Sequence, residues 1–252
     1  MLQDILPVQI FGFLLTFARI GAMVMVSPAL GETSIPPRVR LAAALGLSLV
    51  IFPVVRGTLP ALPGQPLMLA GLITGEILVG VFIGLAARLI MSGLHVAGTV
   101  IAFQSGLAAA QGFDPSQGTQ SALVGSFMTL LGVTLVFVAD LHHLLIAAMA
   151  DSYTLFPPGQ AIPLGDFATI VTHTVSASFL LGIQISAPFL VYGLVFYIGL
   201  GLLARLMPQL QVFFIAMPLN IGLAFVLLLI LIPALMTWFM DYFTQALSVF
   251  IL

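Results

Sequence analysis

Two histidines and their neighbouring carboxylates are the side chains best suited to binding a metal ion. Asp140, His142 and His143 are close in the sequence, and Asp151 follows them. Histidine and carboxylate groups ligate zinc or iron. Adjacent residues on a helix project about 100° apart, so we expect His142 and His143 not to share one ion readily. The sequence therefore predicts no metal and no cofactor, and it favours interfacial histidines at a helix end.

Nucleophilic catalysis has little support. Serines and four histidines are available, but the chain lacks a Gly-x-Ser-x-Gly elbow, a phosphate-binding loop and a dinucleotide-binding motif. The absence of cysteine excludes thiol catalysis and Cys-ligated zinc. We predict that the protein is not an enzyme.

Charged residues within apolar segments are the next candidates, namely Glu76, Arg88 and Arg205. A charge in the middle of a bilayer costs about 3 kcal/mol on insertion scales, so these side chains are expected to meet protein or water. Glu76 and Arg88 are 12 positions apart, which is about 120° around a straight helix and about 18 Å along it. They cannot form a ready ion pair within one helix.

A polar but nearly uncharged stretch separates two strongly apolar segments. Irregular backbone at membrane depth is tolerated only where it is buried in protein or lines a watery cavity, which suits a pore lining or a plug. A plain solvent-exposed turn is the alternative. The candidate residues of this gate loop are Gly106, Gln111, Phe113, Asp114, Pro115, Gln117 and Gln120.

Paired glycines indicate close helix packing. Gly71 and Gly75 form one Gly-x-x-x-Gly pair, and Gly80 and Gly84 form a second. Such pairs let another backbone approach closely. The pattern does not say whether the partner belongs to the same chain.

Long apolar segments must position all of these residues. The chain is 61% hydrophobic and only 6% charged, whereas soluble domains carry about 25% charged residues. This composition predicts an all-α integral membrane protein of kinked helical hairpins, in contact with membrane lipid. All six basic residues are arginines, so a lysine-rich nucleic-acid-binding patch is absent and nucleic acid is excluded as a partner. We predict six hydrophobic segments, near 5–27, 38–56, 67–110, 121–150, 168–204 and 210–250.

Two of these segments have unusual lengths. The uncharged run from Leu41 to Val55 would reach about 22 Å as a helix, which is short for a crossing of about 30 Å. The proline-free run from Leu67 to Ala110 would reach about 66 Å, so it must bend back, break or extend beyond the membrane. Prolines at 188, 208, 218 and 233 predict kinked or split helices in the C-terminal half.

Four ordered stretches, which together cover most of the chain, resemble the FliR family of flagellar export proteins and its virulence-secretion relatives, called SctT. Each stretch alone is a weak signal, whereas the ordered set is specific. The stretches contain Phe17-Ala18-Arg19-Ile20 with Ile35-Pro36-Pro37-Arg38-Val39-Arg40, then Gly75-Glu76-Ile77-Leu78-Val79-Gly80, then Gln104-Ser105-Gly106 through Phe113-Asp114-Pro115 to Asp140-Leu141-His142-His143, and finally Arg205-Leu206-Met207-Pro208-Gln209 with Met217-Pro218.

The resemblance implies a structural subunit of the type III export gate. It implies assembly with FliP and FliQ, with FlhB and FlhA nearby, around a channel for unfolded export substrates in the bacterial inner membrane at the flagellar basal body. Residues 1–180 would be a FliP-like part, and residues 181–252 a FliQ-like hairpin. The family uses the loop that maps onto Gly106 to Gln120 as a plug, and its flagellar and injectisome versions share much of the pattern. The alternative function is a self-contained polytopic transporter of small molecules or ions, for which inverted repeats and paired intramembrane charges are expected.

Overall fold

The computed structural model describes residues 2–28, 30–32, 35–107, 123–207 and 212–251. Within these ranges every regular element is helical, and short 3-10 turns at Arg56–Thr58 and Ser248–Phe250 accompany seven α-helices. The helices are α1 (Leu2–Val26), α2 (Pro37–Val55), α3 (Pro66–Gln104), α4 (Leu123–Val138), α5 (His142–Leu155), α6 (Leu164–Leu206) and α7 (Val212–Leu247).

The helices account for the predicted hydrophobic segments. In the described part of the chain, five helices are long and apolar enough to cross a membrane, and the pair α4 and α5, bent by 76° at a short break, is a sixth candidate. A helix satisfies its own backbone hydrogen bonds, as hydrocarbon requires. The prediction of an all-α integral membrane protein is confirmed.

Helix lengths explain both anomalies in the sequence. Helix α2 has 19 residues and is about 28 Å long, because it begins before Leu41 at a proline in its first turn. Helix α3 runs for 39 residues without a break, about 58 Å, so it extends well beyond a hydrocarbon core of about 30 Å. Helix α6 continues through Pro188, and α7 continues through Pro218 and Pro233, so none of these three prolines splits its helix.

The chain divides into two compact units. The first comprises Met1–Ile90, Val136–Val175 and Phe243–Leu252. In it α1 packs along α2, and an aromatic cluster joins distant parts of the chain. Phe82 stacks on Phe167 with ring centroids 3.7 Å apart, and Phe156 and Phe250 contact Phe82 edge to face. Such aromatic pairs add about 0.5–1.5 kcal/mol each beyond their buried area.

Small residues set the packing of the second unit, which comprises Met91–Leu135 and Ser176–Tyr242. A methyl group placed on Gly98 would lie 2.5 Å from the Cα atom of Gly125, and one placed on Gly93 would lie 2.9 Å from the carbonyl oxygen of Ser178. The backbones of α4 and α6 therefore contact α3 directly at these points. Phe189 and Phe239 are completely buried.

Helix α6 presents an uncovered apolar surface. Only 11% of its most apolar window is buried in the chain, compared with 61% for α3. The expected division between a FliP-like and a FliQ-like part, near residue 180, falls within this helix and stays a prediction. The exposed side chains on α6 include Leu180, Val191, Leu194, Val195, Ile198, Leu202 and Leu206.

Candidate functional site

A buried ion pair joins α1 to α3 in the first unit. The Nε atom of Arg19 donates to Oε2 of Glu76 at 2.7 Å, and one terminal nitrogen donates to Oε1 at 3.0 Å. Arg19 is 1% exposed and Glu76 is 2% exposed. The two parallel hydrogen bonds give a bidentate pair, the strongest geometry for an arginine and a carboxylate.

The remaining donors of Arg19 reach the C-terminal end of α5. One terminal nitrogen donates to the carbonyl oxygen of Ser152 at 2.8 Å and to its hydroxyl at 3.3 Å, and the other donates to the carbonyl oxygen of Phe156 at 2.8 Å. The guanidinium also lies over the ring of Tyr153, 4.1 Å from its centroid. Since arginine has five N–H donors, this arrangement occupies all of them. Arg19 is a hub that links α1, α3 and α5.

Glycine makes this approach of α1 and α3 possible. A methyl group on Gly80 would collide with the carbonyl oxygen of Arg19, and one on Gly84 would lie 2.8 Å from the carbonyl oxygen of Met23. The second glycine pair therefore packs against α1 of the same chain.

The first glycine pair lies beside an open cavity instead. A methyl group on Gly71 would meet nothing within 4 Å, and one on Gly75 would meet only Ile162, at 3.8 Å. The cavity, of about 580 Å³, reaches the ion pair of Arg19 and Glu76, and Asp166 also lines it. Its wall is thus partly charged, but both charges of the pair already have partners.

The other two charged candidates lie at the surface of the chain. Arg88 is exposed on α3, and Arg205 is exposed in the last turn of α6. Arg88 does not reach Glu76, which agrees with their separation of 12 positions. Its predicted contact with protein stays a prediction.

Only the start of the gate loop lies within the described residues. Gly106 is buried and has a φ of 76°, a left-handed conformation that glycine adopts readily. The other gate-loop candidates, Gln111, Phe113, Asp114, Pro115, Gln117 and Gln120, lie outside the described residues. Near Gly106, Asn220 of α7 contacts the backbone of Gln104, and Tyr192 of α6 contacts Asn220. Sequence analysis missed Arg19, Tyr192 and Asn220 as site residues.

The possible metal ligands are closer together than expected. One ligand atom from each of Asp140, His142 and His143 lies within 4.8 Å of the others, and the two imidazole centroids are 4.2 Å apart. The expectation that the histidines diverge is therefore wrong. They occupy the first turn of α5, directly after the bend at Asp140, whose φ is 58°. Zinc bonds of about 2.0–2.1 Å place tetrahedral ligands about 3.4 Å apart, so the cluster would have to contract around zinc. The absence of a metal stays a prediction.

Comparison with known proteins identifies the family. A model of the bacterial export proteins, family 1, matches residues 10–246. The chain belongs to this family. The resemblance inferred from the four sequence stretches is thereby confirmed.

Curated relatives of this export protein come from flagellar and virulence systems. It is 41% identical over 242 residues to the flagellar biosynthetic protein FliR of Caulobacter vibrioides, with 96% of each chain covered. It is 32% identical to FliR of Bacillus subtilis, covering 86% of this chain and 85% of the relative. The Yop proteins translocation protein T of Yersinia pestis is 26% identical over 91% of this chain and 89% of its own. The export protein therefore has a role in a type III export apparatus in the membrane, as a structural or transport component.

Proposed function

We propose that this export protein is a non-enzymatic structural subunit of the flagellar type III export gate. With FliP and FliQ it forms the channel through which unfolded flagellar proteins are exported, and FlhB and FlhA are its neighbours. The complex lies in the bacterial inner membrane at the flagellar basal body. The observation that carries this proposal is the 41% identity to a flagellar FliR over 96% of both chains.

The uncovered surface of α6 supports a role in an assembly. Several large apolar side chains there are more than half exposed, including Val191 at 64% and Val195 at 66%. Neighbouring helices or lipid must cover them, because water would solvate them poorly. The open side of α3 at Gly71 gives a partner helix a second place to approach.

The ion pair favours this structural role over the transporter. A transporter uses paired intramembrane charges to hold its ligand, and Arg19 and Glu76 do lie beside a cavity. However, every N–H donor of Arg19 already bonds to protein oxygen. No donor of that guanidinium is left for an anionic ligand, so the pair acts as a structural hub.

Within the gate, the segment from Gly106 to Gln120 acts as the plug. Its glycines and Pro115 disfavour a long helix, and its amides and hydroxyls can bond across a narrow lumen. Phe113 is its only aromatic side chain and excludes water from the closed channel.

The mass of the native complex tests the proposed function. The export protein is extracted from its own membranes with a mild detergent, and the intact particle is weighed by native mass spectrometry. We expect one copy of this chain together with several copies of the FliP and FliQ homologues. A stable monomer that binds a small molecule would refute the gate and support the transporter. Deleting the gene should also stop secretion of flagellar proteins, and the restored gene should recover it.

A further inference from the structure

A hydrogen-bond network in the second unit holds the C-terminal end of α3. Asn220, which is 3% exposed, donates from Nδ2 to the carbonyl oxygen of Gln104 at 3.1 Å. Its Oδ1 accepts the hydroxyl proton of Tyr192 at 2.7 Å. The tyrosine oxygen also lies 3.2 Å from the backbone carbonyl of Asn220. One side chain thus connects three helices.

This network acts where α3 stops. The last carbonyls of a helix lack partners from their own helix, because no further turn supplies an N–H group. Asn220 supplies that donor to Gln104, the last residue of α3. The next residues turn away, with the N–H of Gly106 bonded to the carbonyl oxygen of Phe103 at 3.2 Å. Gly106 then adopts the left-handed conformation that commonly follows a helix end.

Glycine leaves the space that the network needs. A methyl group on Gly106 would lie 3.2 Å from Nδ2 of Asn220, and one on Gly193 would collide with the side-chain oxygen of Gln104. Side chains at either position would press on the groups that hold the end of α3. A small cavity of about 40 Å³ lies beside Gly106 and Asn220, and its other lining residues are Phe196, Tyr197, Leu200, Ala216 and Met217.

The chemistry requires an amide at position 220. The backbone carbonyl of Gln104 needs a donor, and the hydroxyl of Tyr192 needs an acceptor. The amide of asparagine supplies both at the same time. Leucine has a similar size and can do neither. A buried amide that forms hydrogen bonds to two other helices favours one arrangement of the three helices. Any other arrangement would leave buried polar groups without hydrogen-bond partners.

We propose that Asn220 is a positioning residue of the export gate, which ends α3 at Gln104 and, with Tyr192, fixes that end to α6 and α7. The direction in which the chain leaves α3 at Gly106 then depends on this network. The inference rests on the proposed function, since the gate loop begins at Gly106. Breaking the network releases the end of α3 and shifts the closed gate toward leakage.

The test uses the full chain in its assembled complex in cell membranes. Asn220→Leu removes both bonds, whereas Tyr192→Phe removes only the tyrosine bonds. Tyr197→Phe is the matched control, because it makes the same chemical change on the same helix at a residue that is 47% exposed. Tyr197 lines the cavity beside Asn220, but the bonds of Asn220 go to Tyr192 and Gln104. Two quantities are measured: the leak of a small solute, and maleimide labelling of a Ser105→Cys variant, whose native side chain is 1% exposed.

We expect Asn220→Leu to raise both the leak and the labelling at position 105. Each lost hydrogen bond changes a two-state equilibrium about 2- to 10-fold, so Tyr192→Phe should have the smaller effect. Tyr197→Phe should match the wild type. An assembled Asn220→Leu complex with wild-type labelling and leak would overturn the inference.

Other outcomes are also decisive. If Asn220→Leu and Tyr192→Phe both prevent assembly while Tyr197→Phe does not, the network serves assembly and the positioning role is wrong. If membranes with the gate-loop deletion leak the solute but membranes with Asn220→Leu do not, this inference alone fails. If membranes with the gate-loop deletion do not leak the solute, the proposed plug is wrong, and the gating role of Asn220 is wrong with it.

Discussion

Replacing Glu76 with glutamine tests the central role of the buried ion pair. The change keeps the size of the side chain and removes its negative charge. Arg19 then remains buried at 1% exposure without the carboxylate that it binds in the wild type. Glutamine can accept only one of the two arginine bonds without presenting its own N–H₂ group to a cation.

The size of the effect follows from the contacts. Two charge-assisted hydrogen bonds, at 2.7 and 3.0 Å, are lost or weakened, and such bonds contribute about 1.5–3 kcal/mol each. Removing one partner of a buried ion pair, so that the other charge stays buried and unpaired, costs about 3–5 kcal/mol of stability. We expect Glu76→Gln to lower the stability by an amount in this range. Because the total free energy of unfolding of a protein is about 5–15 kcal/mol, this loss would be a large fraction of it. The bonds from Arg19 to Ser152 and Phe156 should also weaken, which loosens the end of α5.

The assay measures the stability of the assembled complex in two ways. One is its thermal melting temperature, and the other is the yield of intact particle recovered from membranes. Glu32→Gln is the matched control, because Glu32 is the only other glutamate in the chain and is not part of the hub. An Arg19→Met, Glu76→Leu double variant should recover much of the loss, since apolar residues of similar volume often replace a buried pair at little cost. If Glu76→Gln lies within about 0.5 kcal/mol of the wild type, a range typical of neutral surface changes, the hub contributes nothing and the reasoning is wrong.

Three further predictions concern packing, the plug and the assembly surface. Gly80→Leu should destabilise the chain by about 1–3 kcal/mol or more in thermal melting, because the side chain collides with the backbone of α1, whereas Gly46→Ala, in open space on α2, should melt at or above the wild-type temperature. Deleting the loop from Gly106 to Gln120 should leave the complex intact and increase solute leak, and a tight membrane would contradict the plug. A cysteine at Arg88 should cross-link to a neighbouring subunit in the assembled gate, and continuous contact with acyl chains would refute a protein environment for that charge.

The helical segments could be predicted from sequence because their signal is local. Continuous apolar runs of about 20 residues with few charges are typical of membrane-spanning helices, and the predicted ranges agree with the observed spans. The bend between α4 and α5 was not predicted, and 121–150 was expected to be one segment. No proline marks the bend; it occurs at Asp140, in the left-handed conformation that aspartate adopts more easily than most residues.

The candidate site was predictable only in part. The Gly80 and Gly84 pattern correctly indicated close packing, but a glycine face does not reveal which helix lies against it. Arg19 and Glu76 are 57 positions apart, and spacing rules act over one or two helical turns. A useful signal was available, since each residue is an isolated charge in an apolar segment, and opposite charges in that situation must find partners. Tyr192 and Asn220 are uncharged, so sequence offered no comparable signal for them.

The buried polar groups and the apolar surface point to one principle of assembly. Arg19 and Glu76 satisfy each other inside the first unit, and Asn220 is satisfied inside the second. These groups fix the chain's own helices and are not available to partners. The surface of α6 is mainly apolar, with Leu206 at 77% exposure and Leu202 at 61%, and hydrocarbon side chains gain nothing from leaving lipid for another apolar surface. In the proposed gate, neighbouring subunits would therefore recognise α6 by shape and close packing, and the exposed charge of Arg205 in the last turn of α6 would add direction to that contact.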